Sequence, residues 1–128
     1  MAGELTAVVT KMLSNFERMD FEAVTKATTN DVQGIDELSR KWMRTRKEMA
    51  DYFKQVASSV TKIHDSKMKD IHETVLGDIG LVTCWLEQDY VLEGKRQHIS
   101  APTTVVLRRE SGPWKIAVFH SLPLPPAT

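Results

Sequence analysis

Apolar residues recur at helical spacing in the first half of the chain. Those from Leu5 to Phe16 lie three or four residues apart, which predicts an amphipathic helix with one buried face. A second long helix is predicted by spacings of four, three, four and three along five apolar residues, Met49, Phe53, Val56, Val60 and Ile63. Between them, Asp20 is suited to N-cap a short helix over residues 21–27. The polar segment 28–34 is expected to be a turn leading into a short strand or loop.

The second half of the chain has the composition of strands. β-Branched and aromatic residues dominate between turn signals, which predicts four strands, at residues 67–76, 80–92, 98–109 and 114–122. The turns between them are short enough for antiparallel hairpins: Gly77-Asp78, Glu93-Gly94-Lys95 and Ser111-Gly112-Pro113. The prolines from Pro123 to Pro126 cannot extend the sheet, because proline has no N–H to donate. Helices followed by a meander predict an α+β fold, and we expect residues 1–128 to form one domain.

Alternation along the predicted strands assigns the two faces of the sheet. One face is expected to meet the helices. The other is expected to stay apolar over two strands, through Leu81, Trp85, Ile99, Ala101, Val105 and Leu107. An apolar patch on an outer sheet face is typical of a partner surface, and twofold dimers are the commonest assemblies. We therefore expect a homodimer that forms through this face.

The charge balance argues against one class of partner, and the cysteine content indicates the cellular compartment. The 17 Lys and Arg residues balance 17 Asp and Glu residues, which argues against a nucleic-acid binder that relies on positive charge. The single cysteine, Cys84, permits no internal disulfide and fits a reducing cytoplasm. No apolar stretch approaches the roughly 18 residues that span a bilayer, so no membrane partner is expected. With Glu4 and no basic start, the N-terminus predicts a helix rather than a signal peptide.

Four short motifs carry a resemblance to a known family. They are Gly77-Asp78-Ile79-Gly80-Leu81-Val82-Thr83, Ser111-Gly112-Pro113-Trp114-Lys115-Ile116, Phe119-His120-Ser121 and Arg44-Thr45-Arg46-Lys47-Glu48-Met49. Together with the order of the elements, they resemble the small bacterial SnoaL-like proteins of unknown activity, within the nuclear transport factor 2-like superfamily. Thr45 stands where that family usually has glycine. The resemblance implies a cone-shaped α+β barrel, in which a curved, mainly antiparallel sheet wraps about three N-terminal helices and leaves a cavity open at one end.

The resemblance also implies a set of residues around that cavity. The first helix would close it with Met12 and Phe16, and Trp42 would form its rim. The sheet would line it with Cys84, Leu86, Gln88, Ser100, Thr104 and His120.

Asp36 is the carboxylate for which the resemblance implies chemistry. Residues 20–53 can be laid along ketosteroid isomerase, a distant relative, without a gap, and Asp36 then falls at the proton-shuttling aspartate. A carboxylate at an apolar cavity is a suitable base, because desolvation raises its pKa. The alternative is a solvated loop acid or one that caps a backbone N–H. The isomerase also needs two strong hydrogen-bond donors, and Met12 and Thr104 at the matching positions cannot supply them, which argues against steroid isomerisation.

His120 is the second candidate, because its side chain would point into the cavity and an imidazole can act as acid, base or hydrogen-bond donor near neutral pH. The alternative is a structural histidine. No pair among the four histidines has the close spacing of a metal-ligand motif, so neither a metal nor another cofactor is expected. These residues predict a pocket protein for a small apolar molecule, as a cofactor-independent isomerase, cyclase or dehydratase in which Asp36 and His120 transfer protons on a carbonyl-bearing substrate. The alternative is a non-catalytic ligand-binding or dimerisation module.

Overall fold

A computed structural model describes residues 3–125 of the chain. It contains three helices, α1 (Glu4–Glu17), α2 (Phe21–Lys26) and α3 (Arg46–Ser59). Its five strands are β1 (Thr28–Asp36), β2 (Val60–Leu76), β3 (Ile79–Leu92), β4 (Lys95–Arg109) and β5 (Trp114–Ser121). The sheet ends before Pro123, as predicted. Residues 1–2, at the start of the N-terminus predicted to be helical, and residues 126–128, which include Pro126, lie outside the described residues.

The five strands form one sheet in the order β1-β5-β4-β3-β2. All neighbours are antiparallel except β1 and β5, which are parallel. Helix α3 contacts β1 and β2, the two edge strands, so the sheet must curl to bring both edges to the same helix. The predicted α+β class, with three helices on a curved and mainly antiparallel sheet, is confirmed. None of the described helices is long and apolar enough to cross a membrane.

Two predicted element boundaries are wrong. The segment predicted as a turn leading into a short strand or loop is the nine-residue strand β1, which gives the sheet a fifth strand. Helix α3 ends at Ser59, and Val60 already has extended backbone angles, so the predicted helical residues Val60 and Ile63 belong to β2. Both side chains are nevertheless buried, because a register shift between Val60 and Lys62 turns them to the same side of the strand.

The predicted facing of β4 is also wrong, and the length of one turn explains the error. A three-residue turn at positions 93–95 would place Cys84 opposite Thr104. The turn has only two residues, Glu93 and Gly94, both with positive φ, and Leu92 pairs with Lys95. This register places Cys84 opposite Thr103 instead, and every side chain of β4 changes face.

The corrected register moves most of the predicted outer patch into the core. Ala101, Val105 and Leu107 are completely buried, and Ile99 is partly buried and packs against the core. Leu81 and Trp85 do lie on the outer face and are about one-third exposed. Their neighbours on β4 are Val106 and Pro102, directly opposite each of them. The outer face is therefore a smaller and more mixed surface than the sequence pattern predicted.

Helices α2 and α3 are stabilised by N-caps, and α1 packs closely against the sheet. Asp20 N-caps α2 as predicted, by accepting from the Ala23 N–H at 3.2 Å. The Thr45 side chain accepts from the Glu48 N–H at 3.0 Å at the start of α3. Helix α1 lies so close to β3 that Leu5 covers Gly80, where a Cβ would come within 2.7 Å of a Leu5 methyl carbon.

Candidate active site

A cavity of about 80 Å³ lies between α1, α3 and the inner face of the sheet. Helix α1 contributes Met12 and Phe16, and α3 contributes Tyr52. The end of β1 and the turn after it bring in the two carboxyl groups of Asp36 and Glu37. The remaining wall is largely apolar, with Leu38, Met43, Met49, Leu86, Ile99, Ile116 and Phe119 among its residues. Two carboxyl groups therefore face a largely apolar space, whose other polar lining residues are Thr28, Tyr52, Gln88 and Ser121.

Asp36 is held by three hydrogen-bond donors. Its Oδ1 accepts from the backbone N–H of Leu38 at 2.9 Å and of Ser39 at 2.8 Å. Its Oδ2 accepts from the Tyr52 hydroxyl at 2.5 Å. Oδ1 thus caps the turn that follows β1, which is the structural role weighed from the sequence. Oδ2 has Tyr52, a residue of the cavity wall, as its hydrogen-bond partner.

The pKa of the Asp36 carboxyl lies above its ordinary value despite these donors. Burial raises the pKa of the Asp36 carboxyl above its ordinary value, and hydrogen bonds from Tyr52, Ser39 and Leu38 oppose part of that rise. The pKa of Tyr52 is raised well above its ordinary value, first by burial and then by the neighbouring Asp36 charge. Tyr52 therefore stays a neutral hydrogen-bond donor throughout the pH range in which Asp36 titrates.

Glu37 forms a second carboxyl–tyrosine pair beside the first. Burial raises the pKa of its carboxyl, a hydrogen bond with the Tyr90 hydroxyl opposes the rise, and the Asp36 charge adds to it. The pKa of Tyr90 is raised by its own burial and by the hydrogen bond with Glu37. The charges of Asp36 and Glu37 both act on Tyr52, so the four groups form one coupled cluster.

The structure brings together only some of the residues predicted for the site. Met12, Phe16, Leu86 and Gln88 line the cavity together with Asp36. Cys84 is buried on the inner face but does not line the cavity, and burial raises the pKa of its thiol. A raised thiol pKa disfavours the thiolate, which is the reactive form of cysteine.

The other predicted lining residues lie elsewhere. Ser100 and Thr104 are on the outer face, because the two-residue turn sets the facing of β4. His120 pairs with Thr104 across β4 and β5 and shares its outward facing, so no Asp36–His120 pair forms in the cavity. Its ring lies 5.9 Å from that of Trp42, which is likewise absent from the cavity wall.

Tyr52, Glu37 and Tyr90 were missed in the sequence. Tyr52 lies three residues after Met49 and beside Phe53, so the helical periodicity already placed it next to the buried face of α3. Tyr90 continues the alternation of Leu86 and Gln88 along β3. No periodicity indicated that the Glu37 side chain faces the cavity, because Glu37 follows strand β1 and the sequence did not define where that strand ends. The turn that Asp36 caps brings this side chain to the cavity.

One group of three possible metal ligands exists among the described residues. One ligand atom each of His64, Asp65 and Asp89 lies within 4.8 Å of the other two. Asp89 also contacts His98, whose Nδ1 lies 2.5 Å from its Oδ1. None of these residues lines the Asp36 cavity, so this group has no part in the chemistry of that cavity.

Comparison with known families assigns the chain. The family model of the SnoaL-like domain matches residues 5–125. The chain belongs to the SnoaL-like domain family. Comparison with curated proteins gives no match.

Solved structures of the nuclear transport factor 2-like superfamily share the fold. A candidate dehydratase of that family from Streptomyces avermitilis is 20% identical with a TM-score of 0.84, and the match covers 96% of each chain. A ketosteroid isomerase-like protein from Erwinia carotovora atroseptica is 20% identical with a TM-score of 0.81, covering 97% of this chain and 96% of that one. A CaMKII hub homology domain from Chlamydomonas reinhardtii is 16% identical with a TM-score of 0.79, covering 97% and 98%. Catalytic and assembly domains thus occur on the same fold, and the function must be argued from the site.

Proposed function

We propose that this SnoaL-like protein is a small-molecule pocket protein that transfers a proton at Asp36, without a cofactor, on an apolar carbonyl compound. The observation that carries the proposal is the half-buried Asp36 carboxylate at a largely apolar cavity, whose Oδ1 is fixed by two backbone N–H groups and whose Oδ2 accepts from the Tyr52 hydroxyl. Desolvation brings the pKa of such a carboxyl closer to neutral pH, where a general base is most effective.

Tyr52, rather than His120, is the partner of Asp36 in this proposal. Its hydroxyl donates to Oδ2 at 2.5 Å and stays protonated because burial raises its pKa. In the ground state the hydroxyl stabilises the carboxylate. When Asp36 takes a proton from the carbon next to a carbonyl group, the same hydroxyl is positioned to turn toward the enolate oxygen that develops. Proton abstraction and oxyanion stabilisation then come from adjacent groups.

The size of the cavity limits the substrate. A volume of about 80 Å³ is well below the roughly 300–1,000 Å³ of typical drug-sized pockets. The proposed substrate is therefore a carbonyl compound of a few heavy atoms. Met12, Met43 and Met49 line the wall, and methionine side chains repack easily, so modest branching of the substrate is compatible with the site.

Asp36→Asn tests the proposed base directly. The asparagine oxygen can still accept from the Leu38 and Ser39 N–H groups, so the turn is kept while the base is removed. The assay follows deuterium exchange at the carbons next to the carbonyl of butanone, by NMR in D₂O. We expect wild-type protein to accelerate exchange and Asp36→Asn to lose at least about 100-fold of that acceleration.

The matched control is Asp51→Asn, which makes the same chemical change at an exposed aspartate paired with Lys47. It should leave the exchange rate unchanged. Equal exchange rates in wild-type protein and in Asp36→Asn would contradict the assignment of Asp36 as the base.

A second candidate function is self-association without catalysis. The observations that favour it are the partly exposed Leu81 and Trp85 on the outer sheet face and the similarity of fold to CaMKII hub domains. In this proposal a homodimer forms through the outer face. Sedimentation velocity at micromolar concentration should then give a dimer for wild-type protein and a monomer for Trp85→Lys. Leu124→Lys, at an exposed leucine beyond β5, is the matched control and should remain dimeric. A monomeric wild-type protein would contradict this proposal.

A further inference from the structure

We propose that Glu37 is a second catalytic residue of the cavity, a general acid that works opposite Asp36 in the elimination of water from a small β-hydroxy carbonyl compound. This inference rests on the proposed role of Asp36 as the base, and it assigns the reaction class and the substrate class of that site. Its basis is the convergence of two differently held carboxyl groups on one apolar cavity.

The convergence follows from the end of β1. Consecutive residues of a strand point to opposite faces, so neighbouring carboxyl groups usually diverge. Here the Asp36 carboxyl and the Ser39 hydroxyl close a turn directly after the strand. The turn changes the direction of the chain at Glu37, and the side chains of both acids line the same cavity.

The two carboxyl groups are held by unequal numbers of donors. Asp36 accepts from two backbone N–H groups and from the Tyr52 hydroxyl. Glu37 has the Tyr90 hydroxyl as its side-chain partner. Because like charges in a poorly solvated space disfavour double ionisation, one of the two acids keeps its proton. Asp36 has more hydrogen-bond donors to stabilise a negative charge, so we assign the charge to Asp36 and the proton to Glu37.

That division supplies both halves of an elimination. Asp36 Oδ2 takes a proton from the carbon between the carbonyl and the hydroxyl-bearing carbon, and the electron pair of that C–H bond moves onto the carbonyl oxygen as the enolate. The enolate then returns this electron pair to form the new C=C bond. The C–O bond to the hydroxyl breaks as Glu37 gives its proton to the departing oxygen. Water and an α,β-unsaturated carbonyl compound are the products. Asp36 is then protonated and Glu37 ionised, and a proton passing from Asp36 to Glu37 through solvent restores the starting state without any oxidant or reductant.

The test separates proton abstraction from elimination in a single sample. The probe is 4-hydroxybutan-2-one, a β-hydroxy ketone of six heavy atoms, whose size suits the cavity. Proton NMR in D₂O reports deuterium uptake at the carbon between the two functional groups and, separately, the formation of but-3-en-2-one. We expect wild-type protein to accelerate both processes.

Three variants of the cavity acids carry the inference. Glu37→Gln should keep deuterium uptake within about threefold of wild type and lose about 100-fold or more in elimination, as expected for removal of a general acid. Glu37→Asp, which restores a carboxyl group, should recover part of the elimination. Asp36→Asn should lose both processes, and Glu22→Gln, at a surface glutamate paired with Lys26, is the matched control that should lose neither.

Results that contradict the role of Glu37 can be distinguished from results that contradict the role of Asp36 as the base. Elimination that survives in Glu37→Gln, or deuterium uptake by wild-type protein without elimination, overturns the role of Glu37 and leaves Asp36 as the base. A wild-type protein that catalyses neither process overturns both. Thermal unfolding of Glu37→Gln within a few degrees of wild type shows that the variant is folded, and loss of both processes in that folded variant also overturns the inference.

Discussion

Removing the Tyr52 hydroxyl should destabilise the fold by an amount that depends on the charge of Asp36. Tyr52→Phe keeps the ring, which stacks on Phe16 at 6.5 Å between centroids, and deletes only the donor to Asp36 Oδ2. A hydrogen bond to a charged group contributes about 1.5–3 kcal/mol, and a neutral one about 0.5–1.5 kcal/mol. The cost of the substitution should therefore fall when Asp36 takes up its proton.

The assay is urea unfolding at pH 8 and at pH 4. At pH 8, the condition that favours the Asp36 carboxylate, we expect Tyr52→Phe to lower the free energy of unfolding by about 1.5–3 kcal/mol. At pH 4 the protonated carboxyl is favoured because the pKa of Asp36 is raised, and the loss should shrink toward the roughly 0.5–1.5 kcal/mol of a neutral bond. The Asp36→Asn background is the control, because the same substitution there removes a neutral bond at both pH values.

Two results would refute this reasoning. An equal loss at pH 8 and pH 4 in the wild-type background would mean that the bond is not assisted by charge. A loss at pH 8 no larger than in the Asp36→Asn background would mean that Tyr52 and Asp36 are not coupled.

Three further substitutions test the packing, the capping and the electrostatics of the fold by urea unfolding. Gly80→Ala would place a Cβ 2.7 Å from Leu5 and should lower the free energy of unfolding by about 1–3 kcal/mol. In the control Gly34→Ala the nearest atom is 3.6 Å from the new Cβ, and the free energy of unfolding should change by less than about 1 kcal/mol. Equal effects of the two substitutions would contradict the close approach of Leu5 to Gly80. Thr45→Ala removes the N-cap of α3 and should cost about 1 kcal/mol, with no loss as the contrary result. In wild type, the raised pKa of Asp36 means that the folded state binds more protons than the unfolded state, so the Asp36 contribution to stability falls as the pH rises from about 4 through that pKa. Asp36→Asn should remove this pH dependence, which is at most about 1.4 kcal/mol per pH unit. A pH profile of stability that is unchanged in Asp36→Asn would contradict the raised pKa.

Local patterns in the sequence predicted most elements but could not define two features that depend on distant pairing. Strand β1 pairs in parallel with β5, some 85 residues later in the chain, so no hairpin turn marks it. The facing of β4 depended on whether the turn after Leu92 has two residues or three. Glu93 and Gly94 both have positive φ, and an acidic residue followed by glycine suits a two-residue turn. The sequence therefore contained the signal for this turn, but the predicted turn also included Lys95.

The site was predicted in part for the same reasons. Asp36, Met12 and Leu86 were predicted through the resemblance, which assigned to the cavity the helix and strand faces that periodicity had defined. His120 was misplaced because the facing of β5 follows from β4. Tyr52 is not among the donor positions of the resemblance, which places the hydrogen-bond donors at the positions of Met12 and Thr104. The donor comes from α3 instead, and only the packing of that helix against the end of β1 shows it.

The most direct test of the central claim is a ¹³C NMR titration of the Asp36 carboxyl in the intact protein, assigned by comparison with Asp36→Asn. A base held in an apolar cavity should titrate clearly above the ordinary aspartate value of about 4, and the transition should be coupled to that of Glu37. An Asp36 pKa at or below about 4 would contradict the account, because it would identify Asp36 as an ordinary loop acid whose role is to cap the turn after β1.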